Sequence, residues 1–336
     1  MREAFLTRTA LAATGGFHYG GRSMGQVLRI GTRGSRLAMW QTGWVASQLG
    51  EAHPDLLVQV REFRTTGDRD RATPLAHLPG AGFFVKELER ALLDGQVDLA
   101  VHSMKDVPTQ VPDGLEVGAA VPARPDVRDC LVTPAGLALE GLPQGAVVGS
   151  SSPRRRAMLL AARPDLEFVD LRGNVETRLG KLESGLCDAT VLARAGLERL
   201  GLLDERMVPV PTDVLMPAAG QGALGLEFRS EDTWVRETLA PLDHAPSRQA
   251  VVAERALVRR LGAGCRTPLG VLGQVDDAGR LTLNVWLLAP DGQESIRRSA
   301  DGAAANADDV GMELAEALLA DGAARLIAPP MEGMDD

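Results

Sequence analysis

Five short segments concentrate side chains able to bind an anion, move a proton or form a covalent bond. In VDLAVHSMKDVP an apolar run ends in His102, Ser103, Lys105 and Asp106, just ahead of Pro108. A carboxylate in such a turn, partly desolvated, can donate a proton or stabilise a developing cation. The plainer alternative is a polar turn in which Asp106 caps a backbone group. In RIGTRGSRLA, Arg29, Arg33 and Ser35 surround a strand end and a helix start. Backbone N–H groups there attract anions and Arg33 can fork onto a carboxylate; a capped helix with solvated arginines is the bland reading.

VGSSSPRRRA sets the hydroxyls of Ser150, Ser151 and Ser152 beside Arg154, Arg155 and Arg156, and VDLRGNVETRL adds Arg172, Gly173, Asn174 and Arg178. Hydroxyls and arginines at a helix N-terminus form an anion cradle. In LGAGCRTPLG, Cys265 stands between Gly264 and Arg266, with a cation close enough to favour the thiolate. Cys130 and Cys187 lie in apolar company and read as buried, inert thiols.

Other chemistries find little support. There is no GxxxxGK[ST], no HExxH and no CxxC, and the three cysteines are widely spaced. A nucleoside triphosphate site, a metal centre and a disulfide framework are therefore not implied, and the cysteine usage suits a reducing, cytoplasmic environment. The net charge of −9 argues against a nucleic-acid binder, and with aromatics at 4% no stacking platforms interleave the arginines. Lysine is rare: of 36 basic residues only Lys86, Lys105 and Lys181 are lysine. No apolar run approaches the roughly 20 residues of a membrane span.

These turns need strands and helices to hold them. At 336 residues the chain is long enough for two or three domains. From Val27, apolar strands alternate with amphipathic helices. VLRIGT precedes a helix capped by Ser35 and running to about Glu51; LLVQVREFRTT, the helix FVKELERALLDGQ, VDLAVHSM and GLEVGAAV follow. After the Pro122–Asp129 stretch the pattern restarts with AVVGSS, a helix opened by Ser152 and Pro153, EFVDLR, ETRLGKLESG, DATVLA and GLERLG. Such alternation predicts mostly parallel sheets with helices on both faces, and ligands in a cleft at the strands' carboxyl ends. PTDVLMPAAGQGALGLEFR reads as a return strand, and AVVAERALVRRLG, LTLNVWLLAP and a last Ala-rich helix as a small α+β domain. The expected division is 27–121 with 217–243, then 122–216, then 244–336. Residues 1–26 read as a disordered tail, or as an over-long start with Met24 the true first residue.

Taken in order, RIGTRGSRLAMWQ, FVKELERALL, DLAVHSMKDVP, GSSSPRRR, LRGNVETRL, PAAGQGALG and AERALVRRLGAGC resemble the porphobilinogen deaminase (hydroxymethylbilane synthase) family. The resemblance runs from about Val27 to the C-terminus, and HSMKDVP together with LRGNVETRL is its most specific part. It implies two lobes like those of periplasmic binding proteins plus the small C-terminal domain. It also implies a dipyrromethane cofactor in thioether linkage to Cys265, and stepwise condensation of four porphobilinogen molecules with loss of ammonia, followed by hydrolytic release of hydroxymethylbilane. By motif, Asp106 with Lys105 is the catalytic pair. Arg33, Ser35, Lys105, Ser151, Ser152, Arg154, Arg155, Arg172 and Arg178 match residues that bind acetate and propionate groups, and Arg29, Arg199 and Gln221 match more loosely. A monomer acting on porphobilinogen, without metal, nucleic acid or membrane, completes the expectation. One departure stands out: PGAGFF has Ala81 where the family carries a lysine between glycines, with His77 nearby. A two-lobed binding module is the rival, but it has no use for a cleft-facing Asp106 or a tethering Cys265.

Overall fold

A computed structural model describes residues 26–65, 85–118, 120–264 and 266–327. The first sheet is built from β1 (Val27–Arg33), β2 (Leu57–Phe63), β3 (Leu99–Ser103) and β4 (Leu115–Val117), with α1 (Arg36–Ala52) and α2 (Lys86–Leu93) in the connections. Ser35 caps α1, its Oγ accepting from Ala38 N–H at 3.2 Å, and Ala38, Gln41, Thr42, Val45 and Leu49 recur on the buried face at helical spacing. The second sheet takes β5 (Asp129–Val132), β6 (Val147–Gly149), β7 (Glu167–Val169), β8 (Ala189–Ala193) and β9 (Met207–Pro209), with α3 (Pro153–Ala162), α4 (Val175–Glu183) and α5 (Arg194–Arg199) between them. The chain then returns to the first sheet as β10 (Leu224–Arg229).

Strand orders are β2-β1-β3-β10-β4 and β7-β6-β8-β5-β9. Each sheet is mostly parallel, as expected, with four strands running one way and a single reversed strand, β10 in the first and β5 in the second. β1 pairs in parallel with β2 and β3, and β6 with β7 and β8, whereas β10 runs antiparallel to β3 and β4 and β5 antiparallel to β8 and β9. The reason is topological. β5 and β10 are each the first strand laid down after a crossing between sheets, so neither is joined to its neighbours by the βαβ connection that enforces parallel direction.

After α6 (Thr233–Leu239), the long α7 (Ala245–Leu261) ends at Gly262, whose φ of 63° is the left-handed stop that glycine adopts most easily. The antiparallel strands β11 (Leu269–Val275), β12 (Arg280–Leu288) and β13 (Ser295–Ala303) follow, then α8 (Ala307–Ala320) and α9 (Ala324–Ile327). Leu272, Trp286 and Leu288 of this last sheet pack into the same core as Leu131, Val148 and Met158, so the C-terminal sheet is docked on the second lobe. Among the described residues no helix is long and apolar enough to cross a membrane.

Candidate active site

The strand β3 is buried along its length and releases the chain into a 3-10 turn, Met104–Asp106. Met104 is buried, while Lys105 and Asp106 face outward. Two backbone bonds fix the turn: Met104 N–H donates to Ala223 O at 3.0 Å and Val107 N–H to Met104 O at 3.1 Å. Asp106 shares a pocket with Arg33, Ser35, Gln41, His102 and Ser103, so the ends of β1 and β3 and the start of α1 converge. Gln41 donates to Ser103 Oγ at 2.9 Å. Behind the turn, His102 Nε2 and Glu227 Oε2 share a hydrogen bond of 2.9 Å between two buried side chains.

The second lobe contributes a cationic wall around an anchor that the sequence motifs do not include. Asp129, fully buried at the start of β5, accepts from Arg155 at 2.7 Å on Oδ1 and from Arg154 at 2.7 Å on Oδ2. Each arginine also donates to a carbonyl, Arg154 to Met216 O and Arg155 to Val191 O. Burial pushes the Asp129 carboxyl up, but the flanking Arg155 and Arg154 outweigh it and hold the group well below the ordinary carboxylate range. Gln221 bridges the lobes: its Nε2 donates to Val127 O at 2.8 Å and Asp129 Oδ1 at 3.2 Å, while its Oε1 accepts from Lys105 Nζ at 3.3 Å.

Lys105 therefore stands among cations. Desolvation first, then the Arg155 charge, brings its pKa down to about 8, with Asp106 and Asp129 opposing. The residue stays exposed to the cleft, so this is an amine in a crowded charged groove and not one sealed in a core. Arg178, brought down to about 10 by burial and by Arg155 and Arg172, feels Asp106 as its stabilising anion. Asp106 of one lobe and Arg178 of the other thus belong to one electrostatic cluster. Arg36 of α1 reaches Glu176 of α4 at 3.0 Å, a further link across the cleft.

Two loosely matched arginines lie elsewhere. Arg29 sits at the opposite end of β1, forked onto Asp98 at 2.9 Å and 2.6 Å and donating to Gly95 O, where it ties β1 to β3. Arg199 donates to Gly222 O at 2.6 Å, packs over Trp40, and lines a separate pocket with Trp44, Pro122 and Pro125. Ser152 caps α3, accepting from Arg155 N–H at 3.4 Å. Arg172 lies half-buried, and its carbonyl accepts from Lys181 Nζ at 3.1 Å. Cys265, Ala81 and His77 lie outside the described residues. The thiols of Cys130 and Cys187 are buried, and burial raises both pKa values.

Ser151 Oγ and Arg155 Nε are sealed from solvent without a hydrogen-bond partner among the described residues. Buried polar atoms are rarely left so, and hydroxyl, guanidinium and amine donors in one cleft suit a ligand bearing several carboxylates. A dipyrromethane with acidic side chains fits that donor set.

Residues 28–237 match the family model described as porphobilinogen deaminase, dipyromethane cofactor binding domain, and residues 248–320 match the porphobilinogen deaminase C-terminal domain. The porphobilinogen deaminase of Syntrophotalea carbinolica is 50% identical over 301 residues, covering 90% of this chain and 95% of the relative. That of Geobacter sulfurreducens is 47% identical over 301 residues, covering 90% and 94%. Among solved structures, the BenM effector binding domain with its effector benzoate aligns at a TM-score of 0.41 and 16% identity, covering 66% of this chain and 91% of that one. A sulfate-bound mutant OxyR2 regulatory domain from Vibrio vulnificus aligns at 0.40 and 16%, covering 67% and 100%.

Proposed function

The chain belongs to the porphobilinogen deaminase family, and from that membership and the cleft we propose which of its side chains carry the reaction. It is a transferase that condenses porphobilinogen into hydroxymethylbilane, with release of ammonia, in tetrapyrrole synthesis. Its cofactor is a covalently held dipyrromethane.

Porphobilinogen bears two carboxylates, so a growing pyrrole chain accumulates negative charge. Arg33, Arg155, Arg172, Arg178 and Lys105 are the donors we assign to it. Arg154, Gln221 and Asp129 hold that wall in place, while Ser35 and Ser152 cap α1 and α3. The unpartnered Ser151 Oγ and Arg155 Nε support a carboxylate subsite at α3. When bound, the dipyrromethane supplies the pyrrole carbon to which incoming units are joined.

Asp106 acts on the incoming unit. A proton from its carboxyl helps the amine leave as ammonia, the C–N electron pair departing with nitrogen. The resulting carboxylate then stabilises the positive charge on the pyrrole and accepts its N–H. What supports this reading most is the chain of contacts from the catalytic turn to the cationic wall: Lys105 Nζ donates to Gln221, whose Nε2 donates to the Asp129 carboxylate that holds Arg154 and Arg155.

We assign the thioether to Cys265. Gly264 and Arg266 flank it, whereas burial disfavours the thiolates of Cys130 and Cys187. In this reading the chain divides into 27–121 with 217–243, 122–216, and 244–336, and works as a cytoplasmic monomer without a nucleic-acid partner, in line with its net charge of −9. Intact-protein mass spectrometry tests the assignment. An adduct equal to two porphobilinogens less two ammonias is expected, mapped to the Cys265 peptide and absent from Cys265→Ser. An adduct on Cys130 or Cys187, or an unmodified Cys265 in active protein, overturns it.

A further inference from the structure

The turn that presents Asp106 is held from two sides, and one of them is the C-terminal domain. Arg255, midway along α7, donates to Val107 O at 3.0 Å and to Pro108 O at 2.7 Å. These are the first two carbonyls after Asp106. One planar guanidinium bridging consecutive carbonyls fixes the orientation of the peptide between them, which a flexible ammonium cannot do with the same geometry. On the other side, Met104 N–H is bound to Ala223 O, and the Cβ position of Gly220 lies 2.7 Å from Met104 Cγ. The turn is thus clamped between the segment returning to the first sheet and α7.

The residue beside Arg255 secures the other half of that clamp. Glu254, fully buried, accepts from Arg124 at 2.7 Å and Gly273 N–H at 2.8 Å on Oε1, and from Gly220 N–H at 2.7 Å on Oε2. Arg124 lies on the segment leaving the first sheet and Gly220 on the segment returning to it. Adjacent side chains of one helix therefore grip both connections between the sheets and the exit of the catalytic turn. Arg255 is brought down to about 10 by burial and by Arg259, with Glu227 opposing, so it stays charged at neutral pH.

We infer that Arg255 is a positioning residue for the condensation: through the carbonyls of Val107 and Pro108 it holds the Asp106 carboxyl at the reacting pyrrole. The inference rests on the assignment of Asp106 above. It differs from simple domain glue, because glue would affect folding and cofactor content without acting through Asp106. Displacement of a catalytic group by about 1 Å can cost about 100-fold in rate.

The test is a double-mutant cycle with cofactor-loaded protein, using Arg255→Leu, Arg255→Lys, Asp106→Asn and the combinations, with loading checked by mass and folding by thermal melting. We expect Arg255→Leu to lower kcat by about 10-fold or more with KM changed less than about twofold, and Arg255→Lys to recover part of the loss. In the Asp106→Asn background the same change should cost less than about twofold. Val107 amide exchange should quicken in Arg255→Leu whatever the activity. Unchanged kcat in a folded, loaded variant overturns the inference, as do equal losses in both backgrounds or unaltered Val107 exchange. Should Arg255→Leu fail to fold, Arg255→Lys carries the same comparisons. Near-normal turnover of Asp106→Asn alone would instead remove the catalytic assignment, with Val107 exchange still reporting on the clamp.

Discussion

Asp129 and Arg154 meet at 2.7 Å with both side chains buried, beneath the surface that we assign to anion binding. The pair is part of the wall's foundation, since the same carboxylate also fixes Arg155 and Gln221. Asp129→Asn removes one partner and leaves two guanidiniums without their anion, a change that costs about 3–5 kcal/mol in buried pairs. A corresponding drop in the urea midpoint is expected. The Asp129 pKa is lowered on folding, so its stabilising share is complete above the ordinary carboxylate pKa near 4 and is lost as pH falls toward the folded value. Wild-type protein should therefore lose stability below about pH 4 more steeply than Asp129→Asn, as acid titration of the melting temperature will show.

Lys105 gives the opposite sign. Its pKa is lowered to about 8, so the fold disfavours the charged amine. That deficit is full below the folded value and is relieved as pH rises from about 8 toward the unfolded value near 10.4, making the protein more stable across this window. Binding moves the other way, because the ammonium that attracts carboxylates is lost as pH rises. KM for porphobilinogen should climb between about pH 7 and 9 in wild type, and this limb should flatten in Lys105→Arg. An identical limb in both proteins would assign the titration to another group.

Asp106→Asn preserves shape and most hydrogen bonding but removes the ionisable group. Turnover should fall by about 10² or more while the mass of the loaded protein and its melting temperature stay near wild type. Near-normal steady-state turnover would remove Asp106 from the mechanism.

Gly220→Ala tests the tight approach beside the catalytic turn. Gly220 has φ of 69°, and an added Cβ would lie 2.7 Å from Met104 Cγ and 3.4 Å from Lys105 N. The methyl meets both backbone strain and a packed neighbour, so about 1–3 kcal/mol of stability should be lost. Turnover should fall with it, because the displaced atoms belong to the turn carrying Asp106. Gly43→Ala, where no heavy atom lies within 4 Å of the added Cβ, serves as the control for both measurements.

Sequence spacing reveals the strand-to-helix turns well because their signals are local. Ser35 and Ser152 announce helix starts, Pro153 fits the first turn, and each follows an apolar strand. Asp129 escaped because DCLV is a short strand in a stretch that reads as a linker, and nothing local shows that two arginines from α3 will enclose its carboxylate. Arg29 misled for a geometric reason: it shares a motif with Arg33, yet a strand separates its two ends in space, and Asp98 meets only the first. The third sheet was legible only at β12, whose apolar residues alternate clearly. β13 is largely exposed, and its polar run SIRRSADGA carries almost no apolar signal.

The interleaving of the two sheets has a consequence for the order in which the protein is made. Every strand of the second sheet lies between Asp129 and Pro209, so that sheet can close as soon as this continuous stretch has left the ribosome. The first sheet cannot. β10 sits between β3 and β4, and until Leu224–Arg229 has emerged, β3 keeps an unpaired edge with its backbone donors and acceptors open to other chains. The lobe begun first is therefore completed second. During synthesis the apolar strand leading into Asp106 is the segment most in need of protection from aggregation.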